Sequence, residues 1–168
     1  MDHPVAVAGL SPQAQKIVSP ETAIQAKMMA ASGMAPLPPS ELVSVLYVLA
    51  YDADITLGDK ARNTLKELPA NILLGTLEGK LQAEVLDGIA RILVARLDAV
   101  EKLVLNHGTP DDTMVWLAEK VKSEKLLEMI TANEHRLLRC PKIIEKLYFN
   151  KYTRMSSVDR VIELAVRN

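Results

Sequence analysis

From Ser40 onward, apolar residues recur at spacings of three and four, and turn-forming residues interrupt the pattern about every 10 to 15 positions. No stretch alternates strictly between apolar and polar residues, as a half-buried strand would. Short amphipathic helices are therefore expected at 40–51, 59–68, 70–79, 82–97, 98–106, 109–121, 123–133 and 141–152, with another from Ser156 or Ser157. Leu, Ala, Lys and Glu are abundant while Gly and aromatics are scarce, which favours helix over sheet. At 168 residues the chain can enclose one sizeable core. The expected fold class is all-α, a right-handed superhelical stack of short helix pairs.

Residues 1–39 differ in kind, being rich in Ala, Pro, Ser and Met with few large apolar residues. They are expected to form a flexible leader ahead of a helical domain at 40–168. Within the leader, Ser19 as N-cap, Pro20 at the first helical position and Glu21 in the first turn can start a short helix. That helix runs through Met28 and Met29 to Ala31, and Gly33 with Pro36, Pro38 and Pro39 stops it. Two readings stand for this segment: a disordered leader, or a docking segment whose Ile24 and Met28 meet a groove on a partner.

Thr109-Pro110-Asp111-Asp112 is the strongest local signal. Threonine can accept from an unpaired amide, proline tolerates the first turn, and both carboxylates suit the positive end of a helix dipole. The stretch before it recurs: Glu101-Lys102-Leu103-Val104-Leu105-Asn106-His107-Gly108-Thr109 returns 44 residues later as Glu145-Lys146-Leu147-Tyr148-Phe149-Asn150-Lys151-Tyr152-Thr153. Asn133 also follows an apolar helix. Asparagine tolerates the left-handed conformation that often ends a helix, which would explain the recurrence.

A period of about 40 to 47 residues suits helical hairpin repeats. Leu105-Asn106-His107-Gly108-Thr109-Pro110, followed by Met114, Leu117 and Ala118, resembles the corner of HEAT-like and leucine-rich-repeat-variant proteins, where Asn-x-x-Thr-Pro joins two short helices. The stretch from Asp54 to Arg62, with Leu65 and Leu68, is similar to a HEAT corner. The second copy departs from the pattern, with Arg154 in place of proline, and residues 134–141 lack Thr-Pro altogether. The resemblance covers residues 40–168 and implies an α-solenoid that binds other proteins. Some members of the broader class bind DNA and excise damaged bases. The chain as a whole also resembles uncharacterised bacterial proteins of this type, which implies no activity.

Motifs for chemistry are incomplete. Asp52-Ala53-Asp54 begins like a calcium loop, yet Leu57 replaces its glycine and Asn63 its final glutamate. The stretch from Gly75 to Lys80 is one residue too short for a phosphate loop, and Leu81 stands where Ser or Thr would hold magnesium. His3, His107 and His135 are scattered, and only His107 lies near carboxylates. Trp116 reads as a packing residue, and Cys140 as a small residue at a helix start. No catalytic residue, cofactor or metal is expected. The lone cysteine, the acidic start and the shortness of the apolar run at 42–51 point to a cytoplasmic chain with no membrane contact.

The net charge of −1 hides a division. Residues 1–134 carry −6, and the remainder carries eight bases against three acids. On one continuous helix, Arg139, Lys142 and Lys146 would fall within about 60° of one another with Phe149 beside them. Arg136, Arg139, Lys142, Lys146, Phe149 and Arg154 are therefore the candidate partner-binding residues. The apolar stripe of Val158, Val161, Ile162, Ala165 and Val166 runs to Asn168 with no polar capping helix. Either the chain is the N-terminal part of a longer array, or this end docks on a partner or a second copy. The expected function is a non-catalytic scaffold or adaptor. The alternatives are a nucleic-acid-binding repeat that uses the basic face and a HEAT-like base-excision enzyme.

Overall fold

A computed structural model describes residues 7–167; His3, with the rest of residues 1–6, and Asn168 lie outside the described residues. Among the described residues there are twelve α-helices and no strand. They are α1 Pro12–Val18, α2 Ile24–Ala31, α3 Pro39–Ala50, α4 Ile55–Glu67, α5 Ala70–Glu78, α6 Ala83–Ile92, α7 Leu97–Leu105, α8 Asp111–Lys120, α9 Glu124–Thr131, α10 Glu134–Arg139, α11 Lys142–Phe149 and α12 Met155–Arg167. The chain is all-α, as its periodicity indicates. Alternate helices touch: α1, α3, α5, α7 and α9 in one series, and α2, α4, α6 and α8 in the other. Beyond these, α11 packs on α8 and α12 packs on α9 and α10, so the six-residue α10 is an extra piece between the series. Every residue from Leu42 to Ala50 of α3 is buried, because α1, α2, α4, α5 and α6 all lie against it.

The expected flexible leader is corrected by the packing of residues 10–39. Leu10, Ala14, Ala30 and Ala31 are buried in the same core as Val45 and Leu49, with α1 on α3 and α2 on both α3 and α4. Small residues at these contacts let the backbones approach closely, so a segment with few large side chains still joins the core. Ser11 caps α1 and also donates to Glu41 Oε2 at 2.6 Å, while Thr64 Oγ1 donates to the Ala31 carbonyl at 2.6 Å. The second leader helix begins at Ile24 instead of Pro20, because Ser19 ends α1 and the Thr22 hydroxyl donates back to the Lys16 carbonyl. Gly33, at φ 77°, stops α2 as expected.

Other boundaries moved for local reasons. α4 starts a turn before Asp59 because Asp54 accepts from Thr56 and Leu57 amides at 2.9 and 3.2 Å. The expected helix 82–97 ends at Ile92, since the chain turns there and Arg96 reaches the Lys66 and Leu68 carbonyls at the end of α4. Asn133 does not end a helix; its Oδ1 accepts from the Arg136 amide at 3.1 Å and starts α10.

The recurring asparagines have a different cause from the one expected. Asn106 and Asn150 sit at φ −72° and −84°, outside the left-handed region. Their Nδ2 groups instead cap the carbonyl ends of neighbouring helices. Asn106 donates to Leu77 and Gly79 at the end of α5, and Asn150 donates to Ala118 and Val121 at the end of α8. Each Oδ1 then accepts the amide two residues on, from Gly108 and Tyr152. Thr109 is no N-cap: buried, it donates to the Leu103 carbonyl at 2.6 Å and closes the preceding helix. Ser19 with Thr22 repeats this corner after α1. The two Asn corners sit in different contact series, α7 beside α5 and α9 but α11 beside α8, so the 44-residue recurrence is one of corner chemistry.

Candidate functional site

The six candidate residues do not share one helical face. Arg139 ends α10, Cys140 and Pro141 break the chain, and Lys142, Lys146 and Phe149 belong to α11. Glu145 also projects from the exposed side of α11, between its lysines, so that face is not purely basic. Arg136 is buried, with Nη1 donating to the Thr109 carbonyl at 2.9 Å and Nε 3.8 Å from Asp111. Arg139 grips the same carboxylate with two bonds of 2.8 and 2.6 Å. These Arg139 bonds, with the charges of both arginines, hold the Asp111 carboxyl below the usual carboxylate range despite its partial burial. Burial pulls Arg136 below the ordinary guanidinium value.

Lys146 and Lys120 share Glu119, at 2.9 and 2.6 Å, and together lower its pKa to about 2. Arg154 pairs with Glu124. Four of the six candidates thus join helices within the chain, each base meeting an acid on an earlier helix. The same polarity runs through Lys102 with Glu78 and Lys125 with Glu101. Among the described residues only Asp111, Glu119 and Glu124 pair across the charge division, with bases beyond residue 134, and Lys27 with Asp52 runs the other way.

Phe149 and Lys142 remain open. Phe149 is 75% exposed and stands edge-on to Tyr148, ring centroids 5.1 Å apart; Tyr148 is 56% exposed. Tyr152 follows at 38%, with the Lys151 ammonium 5.2 Å over its ring. Lys122, Lys142 and Lys151 are exposed with no carboxylate partner among the described residues. The α11 to α12 corner is therefore an aromatic ridge among lysines.

Sequence reading missed a polar cluster where α3, α6 and α8 meet. Asp87 takes two bonds from Arg91, at 2.9 and 3.0 Å, and one from Thr113 Oγ1 at 2.7 Å. The Arg91 guanidinium lies 5.0 Å over the Trp116 ring, and Tyr47 stands edge-on to Tyr51. Burial, then the neighbouring Tyr51, Asp87 and Glu84, pushes the Tyr47 phenol up to about 12. Asp87 and Arg91, four apart on α6, were a visible signal; Thr113 and the tyrosines come from other helices. Asp87 is committed to Arg91 and Thr113, so the cluster ties helices together.

Elsewhere the suspected motifs serve the fold. Asp52 pairs with Lys27 at 3.2 Å and Asp54 caps α4, while Gly75 lies inside α5. Two shallow grooves flank Lys80: one of about 520 Å³ beside Ser40 and Asn71, another of about 640 Å³ beside Leu105 and His107. Among the described residues no group of three or more His, Cys, Asp or Glu side chains could hold a metal ion, and no helix is long and apolar enough to cross a membrane. No known family model, characterised protein or solved structure matches this chain.

Proposed function

We propose that the chain is a non-catalytic protein-interaction module, a stack of HEAT-like helical repeats of the scaffold or adaptor kind that works in the cytoplasm. The observation that carries this reading is the ridge of Tyr148, Phe149 and Tyr152, large aromatics left open near lysines that have no carboxylate partner among the described residues. Aromatic side chains bring large contact area at low entropic cost, and they are enriched at interfaces. The fitting partner is a protein segment that carries an apolar residue beside acidic ones, because Lys142 lies on the same helix as Tyr148 and Phe149, Lys151 stands over Tyr152 and Lys122 follows the Val121 that Asn150 caps, all three without a carboxylate partner among the described residues.

Peptides selected from a random displayed library against the full chain test this. Covering the open part of Phe149 is worth about 1–2 kcal/mol, so Phe149→Ala should weaken selected peptides roughly tenfold. Peptides that bind Phe149→Ala and the parent equally would overturn the assignment. The nucleic-acid alternative rests on the same lysines. It would be supported by a single-stranded oligonucleotide whose binding falls steeply with salt and weakens in Lys142→Ala. The base-excision alternative needs an available carboxylate among aromatics, and Asp87 is engaged by Arg91.

A further inference from the structure

We infer that the α7–α8 corner holds a second docking site of the ridge's chemistry, a groove that takes an apolar side chain with an acid beside it from a partner polypeptide. The inference rests on the reading of the chain as a protein-interaction module. The corners of Asn106 and Asn150 agree in more than the asparagine. Four residues before each, a lysine pairs with an acid at the end of the helix that the asparagine caps, Lys102 with Glu78 and Lys146 with Glu119. One residue before each stands an exposed apolar side chain, Leu105 at 57% and Phe149 at 75%. The lysine that follows the capped Gly79 or Val121 carbonyl, Lys80 or Lys122, is exposed and has no carboxylate partner among the described residues. One residue after each asparagine comes an exposed imidazole or ammonium, His107 or Lys151.

The two corners differ in relief. Tyr148 and Tyr152 build up the ridge, whereas the matching positions of the α7–α8 corner are Val104, which is buried, and Gly108, which has no side chain. Leu105 therefore borders a hollow of about 640 Å³ whose lining includes Glu78, Lys80, Leu81, His107 and Gly108. Its apolar part, Leu81 with Leu105, suits a large side chain that reaches in from outside. Glu78 is engaged by Lys102, which leaves Lys80 as the unpaired charge of that lining among the described residues. Two exposed acids on nearby helix starts do not line the hollow: Glu84, which acts on Tyr47 of α3, and Asp112, in the first turn of α8. A carboxylate next to the inserted side chain is the group that Lys80 attracts. The ridge of a second copy has suitable relief for this hollow but the wrong charge, since Lys122, Lys142 and Lys151 would approach Lys80.

Peptides selected from a random displayed library against the full chain carrying Phe149→Ala, which lacks the ridge's most exposed ring, test the groove apart from the ridge. They should carry a large apolar residue beside Asp or Glu. Leu105→Ala and Lys80→Glu, each added to that background, should weaken them at least about fivefold. Both positions are exposed, and helicity by circular dichroism checks the fold. Exchanging the peptide's acid for lysine should restore binding to Lys80→Glu, which a merely structural effect of the substitution would not do. Groove-dependent peptides from this selection, with none from the parent that need Phe149, would support the groove and sink the ridge. Phe149-dependent peptides from the parent, with none from this selection that need Leu105, would overturn the groove and leave the ridge standing. A selection that returns no peptide, peptides indifferent to Leu105→Ala or Lys80→Glu, or no recovery on the charge exchange would each overturn the inference. So would self-association of the parent that Leu105→Ala abolishes, which would give the groove to a second copy.

Discussion

Asn150→Ala removes two donations, to the Ala118 and Val121 carbonyls at 2.8 and 2.9 Å, and one acceptance, from the Tyr152 amide at 3.0 Å. The 3.4 Å approach to the Glu119 carbonyl is too long to count for much. At about 1 kcal/mol net per bond, with water able to replace part of what is lost at this half-buried site, the cost should be about 2 kcal/mol. Asn150→Asp keeps the acceptor but turns a carboxylate oxygen toward two carbonyls, near the negative ends of α8 and α11. It should cost more, about 3 kcal/mol. Urea unfolding of the full chain, followed by helical circular dichroism, measures both. With a slope of about 2 kcal/mol/M, the alanine variant's midpoint should fall by about 1 M at unchanged slope. Asn106→Ala should behave alike, since it caps Leu77 and Gly79 in the same way. An alanine variant within about 0.5 kcal/mol of the parent, or an aspartate better tolerated than alanine, would refute the capping argument.

Three further outcomes are expected. Gly88→Ala would put a Cβ 2.0 Å from the buried Tyr47 ring, so it should destabilise by about 1–3 kcal/mol; an unchanged melting temperature would show that the ring can move aside. Asp111 ionises at a lower pH when folded than in the unfolded chain, where its pKa is about 3.9. Its contribution is therefore complete above about pH 4 and lost as pH falls through the folded value. Asp111→Asn should flatten the acid limb of stability against pH without altering its shape between about pH 5 and 7, and parallel acid limbs would contradict this. Phe149→Ala should leave stability within about 0.5 kcal/mol, as the ring is three-quarters exposed, and a larger loss in thermal unfolding would place it in the core instead of on a binding ridge.

The helical class was legible because amphipathic periodicity is local, and so were α3, α5, α7 and α11 to within a residue or three. The leader was misread for a reason of scale. A sparse set of alanines looks inadequate for a core until two helices lie close against α3. α10 escaped notice because six residues hold too few apolar positions to show a period.

The candidate site divided in the same way. That Phe149 and Lys142 are open and Arg136 is buried depends on which helices lie beside α10 and α11, and sequence spacing along one helix carries no such information. The 44-residue recurrence of Asn and Thr was visible, but its cause was not, since the carbonyls that Asn106 and Asn150 cap lie 27 to 32 positions back along the chain. Sequence by itself determined the short helices, most of their turns and the charge division. Tertiary structure alone decided what that charge does, because an ion pair such as Arg139 with Asp111, 28 residues apart, exists only once the packing of the helices brings the two side chains together.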